Sequence, residues 1–191
     1  MEDGVTGQDV KLESIGFFLD AVADFNMFYA GGSFAYVSGD DPSTTDKWEG
    51  GLPFAFGGLN GGIDWNPCLI MFNYDVISKW VGQLQGWSGS RVGGPMTNAW
   101  FGQGRVGERP LPALDIMASV SYATADEKPH DYVGKSYGWE VDVTGTYKIT
   151  NNLSYMLGVG YWFVGEYYKG SGTTNELRDD YMVINKLTLT F

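Results

Sequence analysis

The chain has 191 residues and a formal charge of −11, with 43% hydrophobic and 16% aromatic residues, 28 glycines, 7 Trp and 12 Tyr. That acidity disfavours nucleic acid and anionic membrane surfaces as partners, because both reward Lys and Arg. No stretch approaches the roughly 20 apolar residues of a spanning helix; the densest, "CLIMF" at 68–72, is far too short. Glycine with this many aromatic rings instead suits strands, with Trp and Tyr concentrated at interfaces.

In chain order, "MEDGVTGQDVKLE" is acidic and lacks the basic start and apolar core of a secretory signal. "SIGFFLDAVADF" (14–25) alternates Ile15, Phe17, Leu19, Ala21, Ala23 and Phe25 against Asp20 and Asp24, the period of two that marks a strand. A second strand, "FYAGGSFAYVS" (28–38), leads into a long polar connection at 39–97. There Asp40, Asp41, Asp46 and Glu49 offer oxygens suited to a hard cation such as calcium, although their spacing matches no EF-hand, and a solvated acidic loop is the simpler reading. The rest of that connection, 57–87, is too apolar for free solvent, which predicts that it folds into a barrel mouth or against a neighbour.

Beyond it, "NAWFGQGRVG" (98–107) pairs Trp100 and Val106 against a row with Gln103 and Arg105, and Pro110 and Pro112 bracket a predicted turn at 108–112. "ALDIMASVSYAT" (113–124) sets Leu114, Ile116, Ala118 and Val120 against Asp115 and Ser119. "YGWEVDVTGTYKI" (137–149) sets Tyr137, Trp139, Val141, Val143 and Tyr147 against Glu140, Asp142, Thr144 and Lys148. "NLSYMLGVGYWFV" (152–164) follows a short turn, and "YMVINKLTLTF" (181–191) places Tyr181, Val183, Leu187, Leu189 and Phe191 on one side and Lys186 on the other.

This predicts about seven strands of 10 to 13 residues, longer than the usual five or six of soluble sheets and matching the roughly 9 to 11 tilted residues that cross a bilayer. Tight connections at 25–28, 108–112 and 150–152 alternate with long ones at 39–97, 125–136 and 165–180, the asymmetry of a bacterial outer-membrane barrel. A β-sandwich also alternates, but rows of charge facing its dry core would be ruinous. The expected fold is therefore an all-β, antiparallel up-and-down transmembrane β-barrel, one domain over 1–191 with 39–97 as a long extracellular loop. Arg105, Asp115, Glu140, Asp142, Lys148 and Lys186 are the expected pore-lining residues. An odd number of strands conflicts with the even count of single-chain barrels. The favoured solution is the C-terminal portion of a larger barrel, completed by an N-terminal barrel segment or a companion chain; the alternative adds a strand pair in 52–76 and a poor strand near 4–12.

Catalytic and cofactor signals are weak. The single His130 has Asp131 beside it, and Ser121 or Ser136 would be the nucleophile of an imagined triad, but a lone loop histidine is usually a solvated residue. Cys68 reads as a small buried or loop residue. No Cys/His spacing fits zinc or covalent haem, so no cofactor and no enzymatic activity are expected.

With these rows in view, the chain resembles the C-terminal part of outer-membrane β-barrel porins. Phe191, with Leu189 and Leu187 before it, resembles the terminal signal read by the outer-membrane assembly machinery. "FAYVSGDDPSTTD" (34–46) and "VDVTGTYKITNNLSYMLGVGYWFVGEYY" (141–168) are similar to the final strands of alginate-export and related porin-like families. That resemblance implies localisation in the bacterial outer membrane, with the lipid bilayer as a partner, and passive passage of small polar solutes or saccharides. Alginate-export channels are expected to line their lumen with arginines, whereas Arg105 is the obvious inward arginine of this chain. A structural barrel enclosing or supporting a partner protein is the alternative function.

Overall fold

The computed structural model describes residues 10–51, 67–73, 96–172 and 174–191. Predictions for 1–9, for most of 52–76 and for most of 57–87 lie outside these residues. Within them the chain is all-β. Nine strands occur, β1 (Lys11–Leu12), β2 (Gly16–Phe25), β3 (Phe28–Val37), β4 (Lys47–Trp48), β5 (Ala99–Leu111), β6 (Leu114–Thr124), β7 (Ser136–Lys148), β8 (Leu153–Val164) and β9 (Asp180–Leu189), with one 3-10 turn at Glu166–Lys169. Seven of them form one antiparallel sheet in the order β2-β3-β5-β6-β7-β8-β9, each strand pairing with its sequence neighbour in the sheet. The two-residue strands β1 and β4 pair in parallel beside it.

The sheet is open. β2 and β9 are its edges, and among the described residues they do not pair with each other, so the barrel expectation is met as an antiparallel meander and not as a closed cylinder. Residues 11–12 pair with 47–48 of the acidic loop, not with the sheet; the rest of the weak strand considered near 4–12 lies outside the described residues.

Register shows why alternation was so regular. Val143 stands opposite Ala118 and Val159, and the row extends to Ala23, Ala30, Val106 and Val183 across all seven strands. This row of small aliphatic side chains is flanked toward the long connections by Leu19, Phe34, Tyr122, Trp139 and Phe163, and toward the short turns by Tyr147 and Tyr155 with Phe25 and Phe28 nearby. From Trp139 to Tyr147 is eight steps, about 26 Å along a strand. On this face the strands carry one charged side chain, Glu108, at its short-turn end; the other face carries Asp20, Asp24, Arg105, Arg109, Asp115, Glu140, Asp142, Lys148, Asp180 and Lys186. The apolar face is open: Val106, Val120, Trp139, Val143, Leu157 and Val183 are all exposed. The polar face holds the core.

Three predicted boundaries shift, each for a local reason. β5 runs on to Leu111 through an irregularity between Glu108 and Leu111, so Pro110 sits where no ladder bond is needed and the turn shrinks to residues 112–113. Tyr137, expected among the outward residues, is buried on the polar face. A register shift at Ala123/Thr124 opposite Ser136–Gly138, with Gly138 at φ +117°, inserts one residue and reverses its direction. At the C-terminus β9 outruns its partner: Thr190 N–H donates to Asn152 O at 2.9 Å, and Phe191 lies beyond the ladder, fully exposed.

Gly138 adopts a backbone conformation that side chains disfavour, and a Cβ there would stand 2.0 Å from Phe163 O, whereas a Cβ on Gly145 in the same strand would meet nothing within 4 Å. Gly138→Ala should therefore lower stability by at least about 2 kcal/mol, whereas Gly145→Ala should leave it unchanged or raise it by up to about 1 kcal/mol, compared as urea midpoints of the folded protein in detergent micelles.

Candidate functional site

The polar face is covered at one place by the segment 67–73, "PCLIMFN", which returns from the long connection and lies against β5 to β8. Cys68, Leu69, Ile70, Met71, Phe72 and Asn73 are all buried. Their side chains divide between two clusters. Cys68, Met71 and Phe72 pack with Ala35, Val37, Ala99, Phe101, Ala123 and Tyr137, while Leu69 and Ile70 pack on Trp162 with Met182 and Ile184 alongside. Phe72 meets Tyr137 edge-on, ring centroids 5.6 Å apart, which is the use made of the reversed tyrosine.

Backbone amides of this segment would be orphaned in such a setting, and β7 supplies their acceptors. Ile70 N–H donates to Glu140 Oε1 at 2.7 Å, Met71 N–H to Glu140 Oε2 at 2.6 Å and Leu69 N–H to Asp142 Oδ2 at 3.3 Å. Gln103 Nε2 donates both to Pro67 O and to Ser121 Oγ, and Asn73 Nδ2 closes the segment on Leu69 O at 2.9 Å. Glu140 is fully buried and Asp142 is 2% exposed. Cys68 lies beside both carboxylates, and burial, with their negative charge, pushes its thiol well above the ordinary range.

Fixing seven residues costs about 1 to 2 kcal/mol each. Burying four large apolar side chains contributes about 1.5 to 3 kcal/mol apiece. Those terms nearly offset, so the hydrogen bonds to carboxylates, about 1.5 to 3 kcal/mol each, decide whether the segment stays down.

Closer to the short turns the same face carries a second polar group. Arg105 bridges Asp20 at 2.8 Å and donates to Ser33 Oγ at 2.7 Å. Arg109 pairs with Asp24 at 2.6 Å and Asp115 at 3.2 Å, and stacks over Tyr29, whose hydroxyl donates to Asp115 at 2.7 Å. Arg109 escaped the sequence reading because its residue was assigned to a turn; its parity with Arg105, once β5 is extended, would have found it.

All six residues expected to line a pore, Arg105, Asp115, Glu140, Asp142, Lys148 and Lys186, share this face by register. They do not form one site: Glu140 and Asp142 are under the segment, Arg105 and Asp115 belong to the arginine group, and Lys148 is exposed at a strand end. Asp40, Asp41, Asp46 and Glu49 are not gathered round one point. Asp41 accepts from Ser43, Asp40 accepts the Glu49 amide, Glu49 accepts from Thr44, and Lys47 bridges Glu13 and Glu49; their oxygens organise the loop. His130 is exposed in the 125–135 connection, while Ser121 is buried under the segment. The chain matches none of the known protein-family models, and no curated protein is similar to it in sequence.

Glu140→Ala would leave the Ile70 and Met71 amides buried without acceptors, at about 1 to 3 kcal/mol each. Maleimide should then label Cys68 in the folded protein at least about tenfold faster than in wild type, and Glu140→Gln, which keeps one acceptor, should fall between them. Equal labelling rates would show that Glu140 does not hold the segment.

Proposed function

We propose that the seven-stranded sheet is part of a β-barrel in the bacterial outer membrane, serving as a passive channel for small polar solutes or saccharides. The observation that carries this reading is the inversion of its faces: an uncharged band of Ala and Val between aromatic rows is left open, while carboxylates and arginines occupy the opposite side, which segment 67–73 covers in part. In water that arrangement would expose far more apolar surface than a monomer tolerates; against hydrocarbon it is the favourable one. Aromatic rows about 26 Å apart along the strand, with the tilt of about 40° usual in such barrels, leave a band of about 20 Å.

An open sheet edge cannot persist in hydrocarbon, since each unpaired backbone group costs several kcal/mol. β2 and β9 are therefore completed by further strands, from an N-terminal barrel segment or a companion chain. Segment 67–73 narrows the passage from the long-connection end, and the Arg105–Asp20 and Arg109–Asp24–Asp115 pairs line the remainder. Paired charges give a polar wall of little net charge, which can exchange hydrogen bonds with a solute's hydroxyls without trapping an ion. The terminal row Leu187, Leu189 and Phe191 serves as the signal for the assembly machinery.

Val141→Arg places a cation on the band, at about 2 to 4 kcal/mol near the midplane, whereas Thr144→Arg places it on the polar face. The first should abolish the heat-modifiable folded species and the second should preserve it; equal tolerance would contradict the outward assignment. Phe191 makes so little contact that Phe191→Ala should leave the urea midpoint of folded protein unchanged within about 0.5 kcal/mol while lowering the amount reaching the outer membrane severalfold. Normal accumulation would remove the signal role. Discrete conductance steps in a planar bilayer, enlarged by Glu140→Ala, are the outcome that supports a channel, and a sealed bilayer containing folded protein is the outcome that excludes one.

A further inference from the structure

We propose that Cys68, Glu140 and Asp142 bind a divalent metal ion of the zinc and cobalt kind, which clasps segment 67–73 to β7. Among the described residues these are the one group of Cys, His, Asp or Glu side chains whose ligand atoms all fall within 4.8 Å of one another, and all three are buried. A buried thiol near two acids is not in itself a site. Asp142, 2% exposed, supplies the second observation: its Oδ1 has no hydrogen-bond partner, and neither has the hydroxyl of Ser119, its neighbour across the strand pair. Fully buried polar atoms are nearly always satisfied, so an orphaned carboxylate oxygen on one strand and an orphaned hydroxyl at the facing position of the next point to a partner still to be bound.

The absence of a side chain at position 160 leaves Asp142 Oδ1 uncrowded. Gly160 faces Asp142 across β7 and β8, and a Cβ on it would stand 2.6 Å from Asp142 Oδ1 and 3.6 Å from Glu140 Oε1. A cation would also balance the two acids. Neither Glu140 nor Asp142 pairs with a Lys or Arg among the described residues, and a buried carboxylate is tolerated when it is paired or coordinates a metal.

The donor set selects the ion. Calcium and magnesium require six or more oxygens, whereas one thiolate with two carboxylates is a mixed set of soft and hard donors that suits zinc-like ions in four-coordinate geometry. Tetrahedral ligands stand about 3.5 Å apart, and the present atoms, all within 4.8 Å of one another, need to close by no more than about 1.3 Å. The Cys68 S–H proton passes to solvent as the metal–sulfur bond forms, and the fourth position is left to Ser119 or to water. Because Cys68 belongs to the returning segment and both acids to the wall, one ion joins elements far apart in sequence. The site does not depend on whether the barrel conducts.

The test uses the full chain, folded in detergent micelles and stripped with a chelator, titrated with cobalt(II). The expected result is a thiolate-to-cobalt charge-transfer band with tetrahedral visible bands, saturating at one cobalt per chain, reversed by zinc and insensitive to excess calcium. Cys68→Ser should lose the charge-transfer band while keeping its heat-modifiable mobility, and Asp142→Asn should weaken binding at least about tenfold. Should Asp142→Asn fail to fold, wild type against Cys68→Ser decides. A folded wild type that shows only the spectrum of aqueous cobalt and retains none after gel filtration would mean that the pocket holds water or a shared proton, and the proposal would be overturned; so would a band that survives Cys68→Ser.

Discussion

Glu140 and Asp142 stand two residues apart on β7, so the strand must turn both to the same side, and Trp139, Val141 and Val143 to the other. A slip of one residue in any neighbour would move its whole apolar set across. Registers on both sides of β7 then follow: β6 answers with Ser119 and Ser121 beside the acids and Val120 beside Val141, and β8 with Gly160 and Trp162 on one face and Val159 and Tyr161 on the other. The remaining strands copy this choice outward to both edges.

Two carboxylates on a covered face need donors, and the three amides of Leu69, Ile70 and Met71 provide them. This ties the longest connection of the chain to the middle of the sheet. Its apolar side chains are then received by small residues at the long-connection end, Ala35, Ala99, Ala123 and Ala125, which leave space above the strands, and by the rings of Phe101, Tyr137 and Trp162. The arginine group nearer the short turns has no such cover; its charges are balanced laterally between β2, β5 and β6. One face thus contains a packed half under segment 67–73 and an uncovered half around the two arginines.

Alternation made most of this legible from residues alone. Period two put Arg105, Asp115, Glu140, Asp142, Lys148 and Lys186 on one face without any coordinates, because each lies in a strand long enough to establish its parity. The reading failed where one residue broke the count: at Gly138, where a positive φ turns Tyr137 inward, and before Pro110, where an irregularity carries β5 and Arg109 past the expected turn. Segment 67–73 could be recognised as too apolar for solvent, but nothing local says which acids its amides reach, since the partners lie about 70 residues away. Cys68 was read as a small buried residue for the same reason; its neighbours are created only by the fold. The acidic loop, whose simpler reading was a solvated loop, turns carboxylates of Asp40, Asp41 and Glu49 onto its own Ser43, Thr44, Lys47 and Glu49 amide.

The central claim is that the open Ala and Val band faces hydrocarbon. Spin labels placed singly at 139 to 144 of the folded protein in lipid bilayers, on a Cys68→Ser background, test it most directly through relaxation by dissolved oxygen and by a water-soluble nickel chelate. The account predicts strict alternation, with 139, 141 and 143 relaxed strongly by oxygen and shielded from nickel, and 140, 142 and 144 relaxed weakly by oxygen. Nickel reaching 141 and 143, or an oxygen profile without a period of two, would contradict it.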